Sequence, residues 1–251
     1  GWVASALALL VVIALIGIVI REAWGLRKMA RIESLRDDAA SAHANDDAPK
    51  ARKVIEELIV LYERRPETAR GRSALQAHEG EIIDGRDLVK LAERDLLADL
   101  DIRARSLVMA SAKRVSVVTA VSPRALIDVA FVLMENMKLV RQMSDLYGGR
   151  PGTLGFLRLA RNVLSHLAVT GSIAIGDGLV QQVVGHGLAA RLSSRLGEGV
   201  VNGLLTARIG IAAIDVCRPL PFLGTKRPGV GDFLNDLTDL SGIRKNTEPK
   251  D

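Results

Sequence analysis

The sequence is short of the residues on which most catalytic and nucleic-acid-binding sites depend. A single cysteine, Cys217, stands among its 251 residues, which excludes an internal disulfide and any metal site built from several cysteines. Only 3% of the residues are aromatic, too few for a platform on which the bases of single-stranded nucleic acid stack. The helical segments carry mixed charge and not the basic face that reads a DNA groove, so we predict no nucleic-acid partner.

Motifs of nucleotide, metal and hydrolytic chemistry are also missing. Residues 224–231 read GTKRPGVG, which has the glycine spacing of a phosphate-binding loop but lacks its lysine and hydroxyl residue. None of the four histidines has a second histidine four positions away, as a zinc-binding helix requires. We therefore predict no cofactor, no metal and no catalytic residue. Two single candidates stay open: a Cys/His dyad that uses Cys217, and the isolated carboxylate Asp177, for which a helix cap or a pairing with a nearby arginine is the alternative.

What the sequence does contain is a long uncharged apolar run at its N-terminus, WVASALALLVVIALIGIVI over Trp2–Ile20. At 1.5 Å per residue, about 20 apolar residues match the ~30 Å hydrocarbon core of a bilayer. A secretory signal peptide and a buried core helix are the alternatives. Nothing basic precedes the run and cations follow it directly, which argues against a signal peptide. The sequence predicts a transmembrane helix over residues 1–20, and its abrupt start inside apolar sequence indicates that further residues precede it.

The residues that follow the apolar run predict how the chain is oriented. Arg21, Arg27, Lys28 and Arg31 lie just beyond it, and Trp24 stands one turn away, where an interfacial aromatic is expected. Lysine and arginine near a membrane end favour the cytoplasmic side, and each gains about 1 kcal/mol beside an anionic leaflet. We predict a bacterial inner-membrane protein that contacts anionic head groups with these five residues and whose C-terminal body faces the cytoplasm.

The rest of the chain predicts an all-α fold. Apolar residues recur at helical spacing, and no stretch shows sustained alternation with a period of two. Breaks are predicted at Ser41–Pro49 and at Tyr147–Gly152, where helix-breaking residues gather. The organisation that follows is a transmembrane helix over 1–20, a charged helical stalk over 21–105 and a helical C-terminal domain over 106–251.

One stretch of the C-terminal half has two interpretations. In Asn162–Ala190 the only formal charge is Asp177, and glycines recur, so its length would allow a further span or re-entrant insertion. Its amphipathic first half favours a buried, glycine-rich helical hairpin or an oligomer interface instead. Gly199, Gly203 and Ala207 then form a small-residue ridge that lets helix backbones approach closely, in membranes or in tight dimers.

Several segments together resemble the YcjF family of bacterial inner-membrane proteins, and the resemblance extends over nearly the whole chain. The segments that carry it are VSPRALIDVAFVLMENMKLVRQMSDLYGGRPG (121–152), AARLSSRLGEG (189–199), GLLTARIGIAAIDVCRPLPF (203–222) and RPGVGDF (227–233). Members look like proteins with a transmembrane hairpin and a helical C-terminal domain in the cytoplasm, so this chain would begin within the second helix of the hairpin. The resemblance implies family-motif positions without assigned roles at Asp128, Tyr147, Arg150, Arg208 and Arg218.

The resemblance implies no catalytic activity, but it does imply a kind of partner. A similar C-terminal domain occurs fused to, or encoded beside, GTPase-type proteins. Our leading hypothesis is a membrane-anchored, non-enzymatic scaffold that forms homo-oligomers, with a dimer favoured, and binds a GTPase-like stress protein or the membrane surface, in envelope stress or membrane remodelling. The alternative is a channel or transporter subunit with a further membrane-inserted segment around 162–190.

Overall fold

The regular structure of this chain is helical throughout the residues that can be described. A computed structural model describes residues 2–78, 83–121, 125–149, 151–175 and 194–233, and these contain no strand. The all-α prediction is therefore confirmed. The helices are α1 (Trp2–Asn45), α2 (Ala48–Tyr62), α3 (Ala69–Ala77), α4 (Gly85–Ala92), α5 (Ala98–Val121), α6 (Ala125–Tyr147), α7 (Thr153–Ile175) and α8 (Ser194–Cys217).

Helix α1 has two halves with opposite environments. It runs for 44 residues without a break, which is about 66 Å at 1.5 Å per residue. Along its first half, large apolar side chains are exposed, such as Leu10 at 66% and Val19 at 65%. Along its second half, Ile32 and Leu35 are buried in the core together with Ala39 and Ala42. The same helix is therefore an apolar rod at one end and part of a folded domain at the other.

The predicted break after α1 is confirmed and has a local cause. Helix α1 ends at Asn45, Asp46 adopts a left-handed φ of 56°, and the Asp47 side chain accepts a hydrogen bond from the backbone N–H of Lys50 at 3.0 Å. Such a cap satisfies one of the free N–H groups at a helix start. The chain then folds back, so that α2 and α4 both pack against α1.

Helices α4 and α5 are joined without a loop. Five residues of π-helix, Glu93–Leu97, connect them, so residues 85–121 form one continuous helical path that crosses positions 105 and 106. Extra residues of this kind widen a helix locally and occur often at functional positions. Here the widened turn lies against Gly71 of α3, whose missing side chain leaves room for the Asp95 carbonyl. The π segment therefore fixes where Glu93 points.

The most extensive helix pair in the core is α5 with α8, and the two run antiparallel. Gly199 lies beside Ser116 and Ala120 near one end, and Gly210 lies beside Val108 further along. A Cβ atom at Gly199 would stand 2.5 Å from the Ser116 carbonyl oxygen, and one at Gly210 would stand 2.6 Å from a Val108 methyl. The glycines therefore allow this close backbone approach.

Helix α8 also meets the length and hydropathy expected of a membrane span. Residues Gly197–Cys217 have a mean hydropathy of 1.6 and are the one candidate found among the described residues. Half of the most apolar window is buried inside the protein, however, and core helices of soluble domains have the same composition. The packing against α5 accounts for its apolar character.

Helix α7 runs in the same direction as α1. Its first turn lies beside Glu22 and Gly25, its Gly155 lies beside Met29, and His166 lines a cavity together with Arg36. Residues 162–175 of the ambiguous stretch belong to α7, whereas 176–190, with Asp177, lie outside the described residues.

Candidate functional site

A basic groove, formed where α1 leaves its apolar half, is the first of two sites with unusual charge. Its α1 wall consists of Trp24, Arg27, Lys28 and Arg31, and its other wall is the end of α2 with the residues that follow it. The cavity has a volume of about 580 Å³ and holds five basic side chains against one acidic side chain. The residues of the second wall are Val60, Leu61, Glu63, Arg64 and Arg65.

Arg31 and Arg65 of this groove are held in place by partners within the chain. Arg31 pairs with Glu57 of α2 at 3.3 Å. Arg65 donates to the carbonyl oxygens of Asp145 and Leu146, the latter at 2.6 Å, and so satisfies acceptors at the end of α6. It also lies 3.7 Å from Glu67. These bonds fix the groove walls without using the other cations.

Arg27 and Arg64 differ from those two arginines. Both are exposed, and in the part of the chain that the structure describes neither forms an ion pair or a side-chain hydrogen bond. They lie on opposite walls of the groove. The groove therefore carries positive charge that the described residues do not neutralise.

The start of α7 is attached to α1 beside this groove. The Glu22 carboxylate accepts hydrogen bonds from the backbone N–H groups of Thr153 and Leu154, the second at 3.1 Å. Burial would raise the pKa of Glu22, but these backbone donors outweigh burial and lower the pKa. A carboxylate at a helix N-terminus is also stabilised by the helix dipole. Gly25 and Gly152 allow the backbones to meet at this junction.

The second site is an arginine buried at the centre of the domain, which we call the Arg218 node. Arg218 is 1% exposed and pairs with Asp101 of α5 at 2.9 Å and with Glu93 of the π segment at 3.1 Å. Its guanidinium also donates to the carbonyl oxygens of Leu220 and Pro221, and it stacks 3.9 Å from the centre of the Phe222 ring. All the nitrogens of the guanidinium are thereby used, and the one cation lies between two carboxylates.

The other groups of the Arg218 node satisfy the two carboxylates. Glu93 accepts hydrogen bonds from the backbone N–H groups of Leu223, Gly224 and Thr225. Burial would raise the pKa of Glu93, but a hydrogen bond from the Thr225 hydroxyl, the N–H groups of Gly224 and Leu223, and the charge of Arg218 together lower it. Tyr147 donates to Asp101 at 2.7 Å, and burial together with the nearby carboxylate raises the pKa of Tyr147. The node holds the loop after α8 against α4, α5 and α6.

Cys217 and Arg36 lie at the edge of the Arg218 node. Arg36 of α1 donates to the carbonyl oxygens of Val216 and Arg218, at 2.8 Å for the second, and so caps the end of α8. Cys217 is 5% exposed, and burial raises the pKa of its thiol to about 12. A buried, protonated thiol lacks the properties of a nucleophile.

The remaining residues predicted from the sequence lie at separate places. Asp128 accepts a hydrogen bond from Thr119 of α5 at 2.7 Å, and Arg208 lines a small cavity of about 220 Å³ that Arg227 also lines. Gly199, Gly203 and the buried Ala207 lie in α8, and Gly199 and Gly203 face α5 of the same chain. Arg150 lies outside the described residues, as does the side chain of Arg21.

The sequence alone did not predict the second wall of the basic groove or the two carboxylates of the Arg218 node. Arg64 and Arg65 follow α2, about 40 residues after the cations with which they share a groove, and only a fold-back of α2 on α1 brings them together. Glu93 and Asp101 were two acidic residues in a charged stretch, although their spacing could have placed them on one face of a helix. Among the described residues, no three His, Cys, Asp or Glu side chains come together as metal ligands would.

Comparison with known proteins identifies a family. A family profile described as a domain of unknown function (DUF697) matches residues 83–242, which is more than half of the chain. The matched region begins just before α4 and contains the whole Arg218 node, whereas Arg36 at the edge of the node precedes it.

Relatives that match nearly the full length of this chain are named membrane proteins. A UPF0283 membrane protein of Mesorhizobium japonicum is 58% identical over 248 residues, which cover 99% of this chain and 68% of the relative. A UPF0283 membrane protein of Brucella anthropi is 56% identical, with 97% and 68% covered, and one of Agrobacterium fabrum is 58% identical, with 96% and 66% covered. No solved structure matches the chain. The expected likeness to a bacterial membrane protein family of undefined function is confirmed at that level.

Proposed function

This chain belongs to the UPF0283 family of membrane proteins that carry the DUF697 domain, and from that premise we propose that it is a membrane-anchored, non-enzymatic helical scaffold. Residues 2–20 of α1 cross the inner membrane, and the helical domain stands on the cytoplasmic side. The domain binds a second copy of the chain or a protein partner.

The observation that carries this proposal is the continuity of α1. An apolar rod of about 20 residues leads into the folded domain without a hinge, because residues 2–45 form one helix. The rod exposes its large apolar side chains, and eight of those described between Trp2 and Ile20 are more than 50% exposed, although water solvates them poorly. Arg36 and Glu22 attach the same helix to α8 and α7. These contacts support the proposal that the membrane segment and the domain form one rigid unit.

The orientation rests on the cations that follow the rod. Arg27, Lys28 and Arg31 lie within two to three turns of Ile20, and Arg64 and Arg65 add to them from α2. Positive charge close to a membrane end favours the cytoplasmic side. In the sequence, only the cations of α1 follow the apolar run closely. The fold adds Arg64 and Arg65 to the same end of the run.

A scaffold is favoured over an enzyme by the state of the buried polar groups. In the Arg218 node the charged groups are enclosed and each has hydrogen-bond partners, and Cys217 is buried with a raised pKa. The surface instead offers apolar side chains for contact. Val129, Leu133, Leu157 and Leu164 line a cavity of about 400 Å³ between α6, α7 and α8, and each is more than half exposed. We propose this face for a homodimer or for the GTPase-like partner.

The channel alternative is disfavoured by the direction of α7. That helix begins beside Glu22, where α1 has already left the apolar run, and continues in the same direction as α1. Residues 162–175 therefore lie further from the proposed membrane segment, and not beside it. A span in this region would need α7 to leave the helices on which it packs.

Lysine substitution in the rod tests the anchor. Leu10→Lys with Ile13→Lys puts two charges near the middle of the span, at a cost of about 2.5–3.5 kcal/mol each for insertion. The control is Ile102→Lys with Val117→Lys, two apolar residues of α5 that are equally exposed. We expect the control protein to stay in the membrane fraction after alkaline carbonate extraction and the rod variant to be released. Retention of both would contradict the anchor.

A further inference from the structure

We infer that the basic groove between α1 and the end of α2 is a binding site for the phosphate-bearing head group of an anionic phospholipid. This inference rests on the proposed anchor, since only the anchor brings the groove to the bilayer. The residues that would contact the lipid are Trp24, Arg27, Lys28 and Arg64.

The groove lies at the depth of the head groups if α1 crosses the bilayer. At 1.5 Å per residue, Trp24 stands about 6 Å and Arg27 about 10 Å beyond Ile20 along the helix axis. The head-group layer extends roughly 5–8 Å on each side of the hydrocarbon core. Arginine side chains reach back several ångströms towards such a layer. Arg31, a further turn away, is already paired with Glu57.

The charge in the groove fits a phosphate. Arg27 and Arg64 face it from opposite walls, and neither has an acidic partner among the described residues. A guanidinium binds phosphate through two parallel hydrogen bonds, so a pair of arginines on facing walls can hold one phosphate from two sides. The single acid of the lining, Glu63, leaves a clear positive excess.

The groove is also preformed. Its second wall is fixed because Arg65 is bonded to the end of α6, and its first wall is fixed because α1 is a continuous helix. Walls that need no rearrangement lose little entropy on binding. The volume of about 580 Å³ is that of an ordinary small-molecule site.

The lining favours a lipid over free phosphate. Trp24 is 72% exposed and Val60 is 57% exposed, and both line the groove beside the cations. Inorganic phosphate has no apolar part to cover these side chains, whereas the glycerol and upper acyl carbons of a phospholipid do. Tryptophan is also the residue that settles at the membrane interface.

The experiment measures which lipids the whole chain retains. The purified chain is placed in nanodiscs of phosphatidylcholine doped with phosphatidylglycerol, and native mass spectrometry counts the lipids that stay bound. We expect phosphatidylglycerol to be retained over phosphatidylcholine, and Arg27→Gln with Arg64→Gln to lower this preference by roughly tenfold or more.

The matched control removes the same charge elsewhere. Lys53→Gln with Arg103→Gln alters two exposed cations of α2 and α5 that do not line the groove, and the lipid preference should remain. Circular dichroism should show that both double variants keep their helix content, because none of the four side chains is buried. An equal loss in both, or equal retention of the two lipids by the unaltered chain, would overturn the inference.

Two further measurements separate the alternatives. Inorganic phosphate titrated into the chain in pure phosphatidylcholine nanodiscs should show no saturable binding, and saturable binding that needs Arg27 and Arg64 would make the groove a site for free anions instead. The groove variant should also resist carbonate extraction like the unaltered chain. Failure of the anchor therefore appears in extraction, and failure of the head-group site appears in lipid retention.

Discussion

The two sets of arginines in this protein stand in opposite environments. Arg218 is 1% exposed and is surrounded by two carboxylates, two carbonyl oxygens and an aromatic ring. Arg27 and Arg64 are exposed, face each other across a groove and have no acidic partner among the described residues. The chain itself supplies acidic partners to Arg218, whereas the described residues supply none to Arg27 and Arg64.

The difference separates residues that hold the fold from residues that are available to a ligand. A buried charge costs several kcal/mol to desolvate, so it persists only with partners that compensate it. An exposed charge costs little and remains free to bind an external anion. The family-motif position Arg218 is therefore explained by folding. Our proposal explains the cations of the groove by a ligand outside the protein.

Replacement of Arg218 should have the largest effect on stability of the substitutions that test this comparison. Arg218→Met leaves Glu93 and Asp101 buried without a cation, and we expect the free energy of unfolding to fall by about 3–5 kcal/mol. Chemical denaturation of the whole chain in a neutral detergent, followed by circular dichroism, measures the change. Arg27→Met is the matched control, and it should alter the free energy of unfolding by less than about 0.5 kcal/mol. Similar losses in the two variants would show that burial does not distinguish these arginines.

Two glycines of α8, one packed against α5 and one without a neighbour among the described residues, should differ by a smaller amount in their effect on stability. A Cβ atom at Gly199 would lie 2.5 Å from the Ser116 carbonyl oxygen, whereas one at Gly197 would have no atom within 4 Å. Gly199→Ala should therefore destabilise the domain by about 1–3 kcal/mol, because α5 and α8 must separate. Gly197→Ala should stabilise it by about 0.5–1 kcal/mol through helix propensity. The same denaturation experiment checks both, and equal effects would contradict the packing of α5 on α8.

The sequence predicted the elements of this fold better than their contacts. The apolar run, the break at Asp47 and the end of α6 at Tyr147 all have local causes, namely hydrophobic length, a capping carboxylate and a glycine pair. Helix α6 ends at Tyr147 because the next residue, Gly148, has a φ of 97°, which glycine adopts readily. Local chemistry acts over a few residues, so a single sequence displays it.

The sites depended on contacts that the sequence does not display. Arg218 pairs with Asp101 across 117 positions of the chain, and Arg64 lines the same groove as Arg27 only because α2 folds back on α1. The small-residue ridge of α8 illustrates the same limit. Its spacing predicted a close helix contact, and only the fold identifies α5 of the same chain as a neighbour. Gly199 and Gly203 are therefore already covered by α5 of the same chain.

The smallest expected effect concerns Cys217, which is buried beside Arg218 but carries no charge. Burial raises the pKa of its thiol to about 12, so at pH 8 the thiolate is roughly a thousandfold scarcer than for a thiol of ordinary pKa near 9. We expect no maleimide labelling of the folded chain and complete labelling after unfolding. Lys53→Cys in a Cys217→Ala background supplies an exposed thiol that should react at once. Rapid labelling of Cys217 in the folded chain would show an accessible thiolate and would return a cysteine hydrolase to consideration.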